Sequence, residues 1–497
     1  MAGAASFAMI AAHFAGDVRM GFLNRLIRHK PVEMLQAEAG KRGDFRRVLG
    51  LWQLTAIGIG GIIGVGVFVL AGQQAALNAG PAVVISFLIA GIASAAAALC
   101  YAEFAGLIPV TGSAYTYGYA VLGELPAWLI GWDLLLEYAL IVAVVAIGWS
   151  GYVQSALASM GMHLPVWAKG AMNPDKPGQV FDVIAALVTL GVSALLTMRT
   201  EWGARFNTLV VAIKVAAVAL VIGVGVFYIH PENWHPFIPD RVTDAKGVAH
   251  FGFAGVATAA AVVFFAVFGY DTLTTAAEES KNPQRDLPRA VLLSLAISMA
   301  MYLAVSLVLT GIAHYSTLNT DAPVADAFKG LGLHWVALTV SVSAVFGLIS
   351  VLFAFMLGAA RIWYALARDG LLPGWFAHVH PRYGTPHRPT IALGVFTALV
   401  AGSTPIQKVA ELVNIGVLSA FIVICSSVMI LRKRKPDLHR AFRTPLVPLI
   451  PLIGIGFSIW LLSELPAVTW KVFLIWVSLG LVIYFSYGIR HSKLETR

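Results

Sequence analysis

Four ionisable side chains stand inside or at the end of apolar stretches of this sequence: Asp133, Glu137, Lys214 and Asp271. Charged groups are costly away from water, and in membranes they serve as proton relays, ion sites or counter-charges for a bound molecule. No nucleophile or metal motif accompanies them, since neither HExxH nor GxSxG occurs in the chain. These residues therefore indicate proton transfer or charge compensation, and they disfavour an enzyme.

Lys214 is the most informative of the four, because it lies within the apolar run 210–217 without an acidic neighbour in the sequence. Two roles remain open for it: reversible protonation, or a fixed ammonium that donates hydrogen bonds to an unwound helix. Asp133 and Glu137 are four residues apart and share one helical face. We expect the deeper Glu137 to act in a proton path or with Lys214, and we expect Asp133 to be structural.

The composition indicates which kind of element holds these residues. The chain has 497 residues, of which 59% are apolar and 12% charged, and its mean hydropathy is +0.80. Soluble domains carry about 25% charged residues, so a membrane protein is predicted. The net charge of +9 arises in short connections, which is typical of the cytoplasmic side of a membrane protein and not of nucleic-acid binding. Cys100 and Cys425 both lie in apolar stretches, so no disulfide framework is predicted.

An all-α polytopic fold is predicted, with twelve apolar runs read as helices that cross a hydrocarbon core of about 30 Å. They cover 52–75, 81–107, 124–158, 180–198, 206–229, 253–277, 289–313, 334–366, 389–403, 408–431, 446–463 and 469–488. Basic residues at 25–47, 281–289 and 432–435 lie on the same side of the membrane if both termini are cytoplasmic. No cleaved signal peptide is expected. The predicted divisions are a basic N-terminal segment at 1–50, spans 1–5 at 51–230, an external loop at 231–252, spans 6–10 at 253–432, and spans 11 and 12 with a short tail at 433–497.

Two of these runs are interrupted where a helix ought to be strongest. The first carries five glycines in nine positions, Gly58, Gly60, Gly61, Gly64 and Gly66, and the sixth contains FFAVFGYD at 264–271. Each Gly inside a helix costs about 1 kcal/mol relative to Ala, so local unwinding is predicted. Unwound backbone in a membrane lines a cavity or is buried in protein, and breaks five spans apart are typical of two inverted repeats around a central binding site. Close helix packing at the glycines is the alternative.

Four segments, in this order along the chain, resemble the amino acid, polyamine and organocation (APC) superfamily, and within it the bacterial members of the cationic amino acid transporter branch. They are GIGGIIGVGVFVLAG at 58–72, the segment 101–140 beginning YAEFAGLIPVTG, FFAVFGYDTLTTAAEESKNPQRDLPRAV at 264–291, and ARIWYALARDGLLP at 360–373. The resemblance implies a five-plus-five inverted-repeat (LeuT-like) fold with two extra C-terminal helices. It also implies alternating access and uptake of an amino acid with protons across the bacterial inner membrane.

A zwitterionic amino acid inside a membrane needs partners for both of its charges. Free amides at the start of the second half of span 1 are expected to hold the carboxylate, and freed carbonyls of both breaks are expected to accept from the ammonium. The expected residues, which are also those of the family motif, are Ile62, Gly64, Val65, Gly66, Phe265, Ala266 and Phe268. The family often has Ser or Thr at the place of Val65, so one hydroxyl donor is missing here. Phe265 and Phe268 are interpreted as a gate or pocket wall, with ordinary apolar packing as the alternative.

In the resembling bacterial transporters, a Lys in the fifth helix takes the place of a bound sodium ion, which implies proton coupling through Lys214, with Glu137 in the proton path. Asp271, Glu278 and Glu279 precede several basic residues and are expected to form an interfacial ion-pair cluster that acts as an inner gate, or else to be solvated loop charges.

The expected partners are the bilayer and an amino acid, with the proton as coupling ion and without nucleic acid, cofactor, metal or catalytic residue. A small neutral substrate such as alanine is preferred. Uptake of arginine or lysine, amino acid exchange, and a channel or passive facilitator remain alternatives.

Overall fold

The computed structural model describes residues 26–32, 35, 49–109, 113–174, 176–198, 204–243, 249–275, 277, 280–380 and 385–493. This part of the chain is almost wholly helical. Its one sheet is a two-stranded antiparallel ribbon of Val242–Thr243 and Ala249–His250 in the loop before the sixth span.

Twelve helical spans occupy the predicted positions in the described chain. Their helices are Leu51–Ile62 and Ala71–Gln74 (span 1), Val83–Leu107 (span 2), Glu124–Ser159 (span 3), Val183–Met198 (span 4), Ala204–Gly225 (span 5), Gly252–Val263 and Thr272–Thr275 (span 6), Pro283–Ile312 (span 7), His334–Arg368 (span 8), His387–Ser403 (span 9), Ile406–Arg434 (span 10), Leu449–Ser463 (span 11) and Ala467–Ile483 (span 12). The connecting helices Ser113–Val121 and Pro323–Gly330 follow spans 2 and 7.

Eight helical stretches of the described chain are long and apolar enough to cross a membrane. One of them, Gly66–Leu107, joins the second half of span 1 to span 2. The first half of span 1, span 4 and span 11 are shorter apolar helices. The predicted class, an all-α polytopic membrane protein, is thereby confirmed.

The packing of the spans repeats after every fifth span. Spans 2, 3 and 4 pack against spans 7, 8 and 9 respectively. Span 1 packs on span 7 as span 6 packs on span 2, and span 5 packs on span 8 as span 10 packs on span 3. The same pairs result when each span is replaced by the span five positions away, which is the pattern that two copies of a five-helix unit produce. Because five is odd, the second copy crosses the membrane in the opposite direction, as in inverted-repeat transporters.

Span 3 forms the centre of the bundle and span 12 its periphery. In its most apolar window, span 3 is 94% buried inside the protein, whereas span 12 is 22% buried. Most exposed side chains on span 12 are apolar, such as Leu474, Ile475 and Val482, as expected where lipid is the solvent. The indoles of Trp128 and Trp132 on span 3 donate to span 12 carbonyls at 2.9 Å, which attaches span 12 to the centre.

Segments near both chain ends meet at Glu124, the fully buried first residue of span 3. Its carboxylate accepts from Arg28 Nη2 at 2.9 Å and from Ser492 Oγ at 2.6 Å. The hydroxyls of Tyr119 and Tyr484 donate to it at 2.8 and 3.0 Å. We call this end of the bundle, where Arg28, Glu124 and Ser492 meet, the terminal face. Glu124 ties the N-terminal segment, span 3 and the C-terminal segment together there.

Candidate functional site

Span 1 is interrupted where its glycines concentrate. The helix Leu51–Ile62 ends at Ile63, whose backbone is extended (φ −73°, ψ 103°), and winding resumes as a π-helix at Gly66–Leu70. Among the described residues, the amides of Gly64 and Val65 have no backbone acceptor, although the backbone of Gly64 hydrogen-bonds with the Tyr302 hydroxyl. Such amides at the start of a helical segment carry partial positive charge and can bind an anion.

Span 6 is interrupted at the equivalent place of the second repeat. Its helix tightens into a 3-10 turn at Phe264–Val267, and Phe268 is extended (φ −99°, ψ 169°). Gly269 has a φ of +123°, which L side chains rarely adopt, and the helix resumes at Thr272–Thr275. Both breaks are therefore present where the sequence predicts them.

The two breaks lie against each other. A Cβ on Gly66 would be 2.2 Å from Ala266 Cβ, and a Cβ on Gly61 would be 2.7 Å from the Gly269 carbonyl oxygen. At Gly64, in contrast, the nearest heavy atom to such a Cβ would be 3.8 Å away. Gly61 and Gly66 thus permit close packing, whereas Gly64 borders a less crowded space. Both interpretations of the glycine cluster apply, each to different glycines.

Lys214 reaches from span 5 to the break in span 1. The side chain is fully buried, and Nζ donates to the carbonyl oxygens of Gly60 at 3.0 Å and Ile63 at 2.9 Å. Its methylene stem lies so close to Gly347 that a Cβ there would be 2.4 Å from Lys214 Cγ. The described residues provide no charged partner for this ammonium. The hydrogen-bonding role expected of Lys214 is present, and its reversible protonation stays a prediction.

Other spans send polar side chains to carbonyls near the breaks, and sequence reasoning missed them. Ser94 Oγ of span 2 donates to Val267 O at 3.0 Å, and Asn414 Nδ2 of span 10 donates to Ala261 O at 2.7 Å and Val262 O at 3.1 Å. Each is a polar residue inside an apolar span, which is the signal that could have revealed it. Asn414 belongs to the fifth span of its repeat, as Lys214 does, and each binds the broken first span of its own repeat.

Three carboxylates form a buried group next to span 6. Asp133, Glu137 and Asp271 are at most 6% exposed, and Glu137 interacts electrostatically with both aspartates. Asp271 accepts a hydrogen bond from the Tyr138 hydroxyl. Within the described chain, both Glu137 oxygens and one oxygen of each aspartate lack a hydrogen-bond partner. Carboxylates buried in this way are suited to holding protons, because an unpaired buried anion is strongly unfavourable.

The environment of Asp271 differs from the predicted one. An interfacial cluster of ion pairs was expected, but Asp271 is fully buried and its partner is a tyrosine, because the broken span 6 turns back into the bundle here. Glu278 and Glu279 lie outside the described residues. Glu137 stands with Asp271 and not with Lys214. An ion-pair cluster does join spans 2 and 10 on other residues, where Glu103 binds Arg432 at 2.7 Å and Arg440 at 3.0 Å.

The apolar side chains of the predicted site are packed into the protein. Val65 faces span 3, where a Cβ on Gly148 would be 2.5 Å from its Cγ2 atom. The Phe268 ring contacts the rings of Phe421 and Tyr270, with centroids 5.4 and 5.5 Å apart. Phe265 is 6% exposed. The apolar packing of Phe268 is therefore present, and its role as a pocket wall or gate remains a prediction.

This site brings amide donors and carbonyl acceptors together in the middle of a helical membrane protein. No cluster of three or more His, Cys, Asp or Glu side chains able to hold a metal ion occurs among the described residues. Two facing broken helices, related by an inverted repeat, are the arrangement by which secondary transporters bind small solutes. The fold and the site define a membrane transporter.

Comparison with known proteins specifies the family. Residues 49–485 match the family model described as amino acid permease. The chain is 44% identical to the methylthioribose transporter of Bacillus subtilis (strain 168), covering 95% of this chain and 100% of the relative. It is 43% identical to the branched-chain amino acid permease BcaP of the same organism (95% and 99% covered), and 31% identical to human cationic amino acid transporter 4 (96% and 91% covered). The chain belongs to the amino acid permease family.

Proposed function

We propose that this protein is a proton-coupled symporter of a small neutral amino acid such as alanine, working by alternating access in the bacterial inner membrane. Its terminal face would be cytoplasmic, as the basic connections indicate. The observation that carries the proposal is the Lys214 ammonium, which is buried without a charged partner and bonded to two carbonyls of the span 1 break.

The coupling step follows from these contacts. A protonated Lys214 gives charge-assisted hydrogen bonds to Gly60 and Ile63, and these are roughly twice as strong as neutral ones. Loss of the proton weakens them, so the first half of span 1 is released when Lys214 is neutral. Glu137, which stands beside Asp271 and is buried without a hydrogen-bond partner among the described residues, would be a second proton-carrying group of the path. A cation at Lys214 also repels sodium, which favours the proton as coupling ion.

A neutral substrate is supported by the apolar surroundings of Gly64. The atoms nearest to a Cβ on this residue belong to Val351 and Leu348 of span 8. The identity of 43% to a branched-chain amino acid permease supports an uncharged side chain as well. The cationic alternative is favoured by the unpaired carboxylate oxygens of Glu137 and Asp271, which are potential partners for a basic side chain.

Competition experiments decide between these substrates. We expect the purified protein in liposomes to take up labelled alanine, and we expect unlabelled alanine in large excess to abolish that signal. Unlabelled arginine at the same concentration is expected to leave it nearly unchanged, because an extended cationic side chain would be desolvated among aliphatic groups. Strong inhibition by arginine, or uptake of labelled arginine and not of alanine, would contradict the neutral preference.

A further inference from the structure

The Tyr302 hydroxyl lies between the two broken helices. This residue belongs to span 7 and is 1% exposed. Its Oη is 2.6 Å from the carbonyl oxygen of Ile62 in span 1 and 2.9 Å from that of Ala266 in span 6. The backbone of Gly64 also hydrogen-bonds with the same hydroxyl. One phenol oxygen thus contacts both halves of the binding site.

The number of hydrogens limits what this hydroxyl can do. A phenol carries a single O–H, so it fully satisfies one carbonyl at a time. The distance of 2.6 Å to Ile62 is the shorter of the two, which assigns the proton mainly to Ile62. The Ala266 carbonyl is then a buried acceptor that is only partly satisfied, and such a group favours any additional donor.

The ring that carries the hydroxyl is held in position by its neighbours. Tyr302 stacks on Phe87 of span 2, with ring centroids 5.2 Å apart and planes inclined by 10°. Spans 2 and 7 are equivalent members of the two repeats and pack closely on each other. The hydroxyl is therefore presented to the breaks from a pair of packed helices and not from a loop.

We propose that Tyr302 is a positioning residue for substrate, joining the two breaks through Ile62 and Ala266 and leaving the Ala266 carbonyl to accept from the α-ammonium of the substrate. This inference rests on the proposed function, since it requires an amino acid as substrate. The sequence predicted that carbonyls of both breaks accept from the ammonium. In the present proposal the Ile62 carbonyl is occupied by Tyr302, and the Ala266 carbonyl accepts from the ammonium.

The test compares Tyr302→Phe with Tyr152→Phe. The first variant keeps the stacked ring and removes the hydroxyl that joins both breaks. The second removes a buried hydroxyl that donates at 2.8 Å to Phe68 O in span 1, beyond the break. Among the described residues, no hydrogen bond joins the Tyr152 hydroxyl to span 6. For Tyr302→Phe we expect the alanine KM to rise about tenfold, because the carbonyls of Ile62 and Ala266 are no longer held in place by one hydroxyl, a loss comparable in size to that of one buried hydrogen bond. The maximal rate is expected to stay nearly unchanged. For Tyr152→Phe we expect the wild-type KM.

Amide hydrogen exchange, followed by mass spectrometry on the substrate-free protein, tests the connection between the breaks without relying on transport. Tyr302→Phe is expected to speed exchange in both 58–70 and 264–275, and Tyr152→Phe only in the first segment.

Phe87→Leu keeps the Tyr302 hydroxyl but removes the ring on which Tyr302 stacks. We expect it to raise the alanine KM by less than Tyr302→Phe does, and it replaces Tyr302→Phe as the test if that variant does not fold.

Equal KM values for the two tyrosine variants, or unchanged exchange in 264–275 for Tyr302→Phe, would overturn the inference. Wild-type protein that carries no amino acid would instead contradict the proposed function, and the exchange data would still decide whether Tyr302 joins the breaks.

Discussion

Replacing Lys214 by Met is expected to abolish accumulation of alanine driven by a pH gradient. Met fills a similar volume beside Gly347 but has neither a proton to exchange nor a hydrogen-bond donor. The carbonyls of Gly60 and Ile63 would lose their donor, and each buried acceptor left unpaired costs about 1–3 kcal/mol. We therefore expect initial uptake rates to fall by more than about tenfold, since about 1.4 kcal/mol corresponds to one factor of ten.

Lys329→Met is the matched control for this variant. Lys329 lies in the connecting helix Pro323–Gly330, is partly exposed, and hydrogen-bonds to Ser155 at 2.8 Å. Contacts of exposed lysines contribute about 0–1 kcal/mol, so its loss is expected to leave uptake close to wild type. Wild-type accumulation by the Lys214→Met protein would mean that this ammonium neither couples the proton nor holds span 1.

Replacing Gly66 by Ala is expected to damage both stability and transport. The new Cβ would be 2.2 Å from Ala266 Cβ and 3.1 Å from the Tyr302 hydroxyl, so the two breaks would have to separate. Overpacking of this kind costs about 1–3 kcal/mol, occasionally more. We expect a lower midpoint of thermal unfolding in detergent together with loss of alanine uptake.

Gly64→Ala provides the comparison within the same break. Its Cβ would approach no heavy atom closer than 3.8 Å, so the unfolding midpoint is expected to stay at the wild-type value. The added methyl group would nevertheless narrow the space that we assign to substrate, and the alanine KM is expected to rise. If Gly66→Ala were as stable and active as wild type, the close contact between the breaks would not matter for function. An unchanged alanine KM in Gly64→Ala would mean that substrate does not occupy the space beside Gly64.

The positions of the spans and breaks could be predicted from the sequence because they depend on local properties. Apolar length sets the spans, and the glycines of 58–66 mark the break in span 1. Lys214 was recognisable as well, since an ammonium at such depth requires partners. The carbonyls it binds, those of Gly60 and Ile63, depend on how span 5 packs against span 1, and the sequence alone does not reveal that packing.

The setting of Asp271 was predicted incorrectly because the argument relied on sequence neighbours. Basic residues follow it in the chain, which suggested an exposed cluster of charges. The backbone at Phe268 and Gly269 instead turns Asp271 into the protein against Tyr138, a residue 133 positions away. A reversal of this kind depends on φ values that neighbouring residue types do not determine.

Asn414 and Tyr302 were overlooked for a related reason. Amides and phenols are less conspicuous than charges in an apolar span, although they satisfy the same exposed carbonyls. The repeat offers a way to find one of them. Because span 5 supplies Lys214 to the break in span 1, the repeat points to the equivalent span 10 as the source of a donor to span 6, and Asn414 donates to Ala261 and Val262 there.

Uptake of labelled alanine by wild-type protein in liposomes, with and without an imposed pH gradient that is alkaline inside, is the most direct test of proton-coupled amino acid transport. We predict transient accumulation above the external concentration when the gradient is present, and its collapse when a protonophore is added. Uptake that only equilibrates, at a rate indifferent to the gradient, would contradict proton coupling and would identify the protein as a passive facilitator or an exchanger.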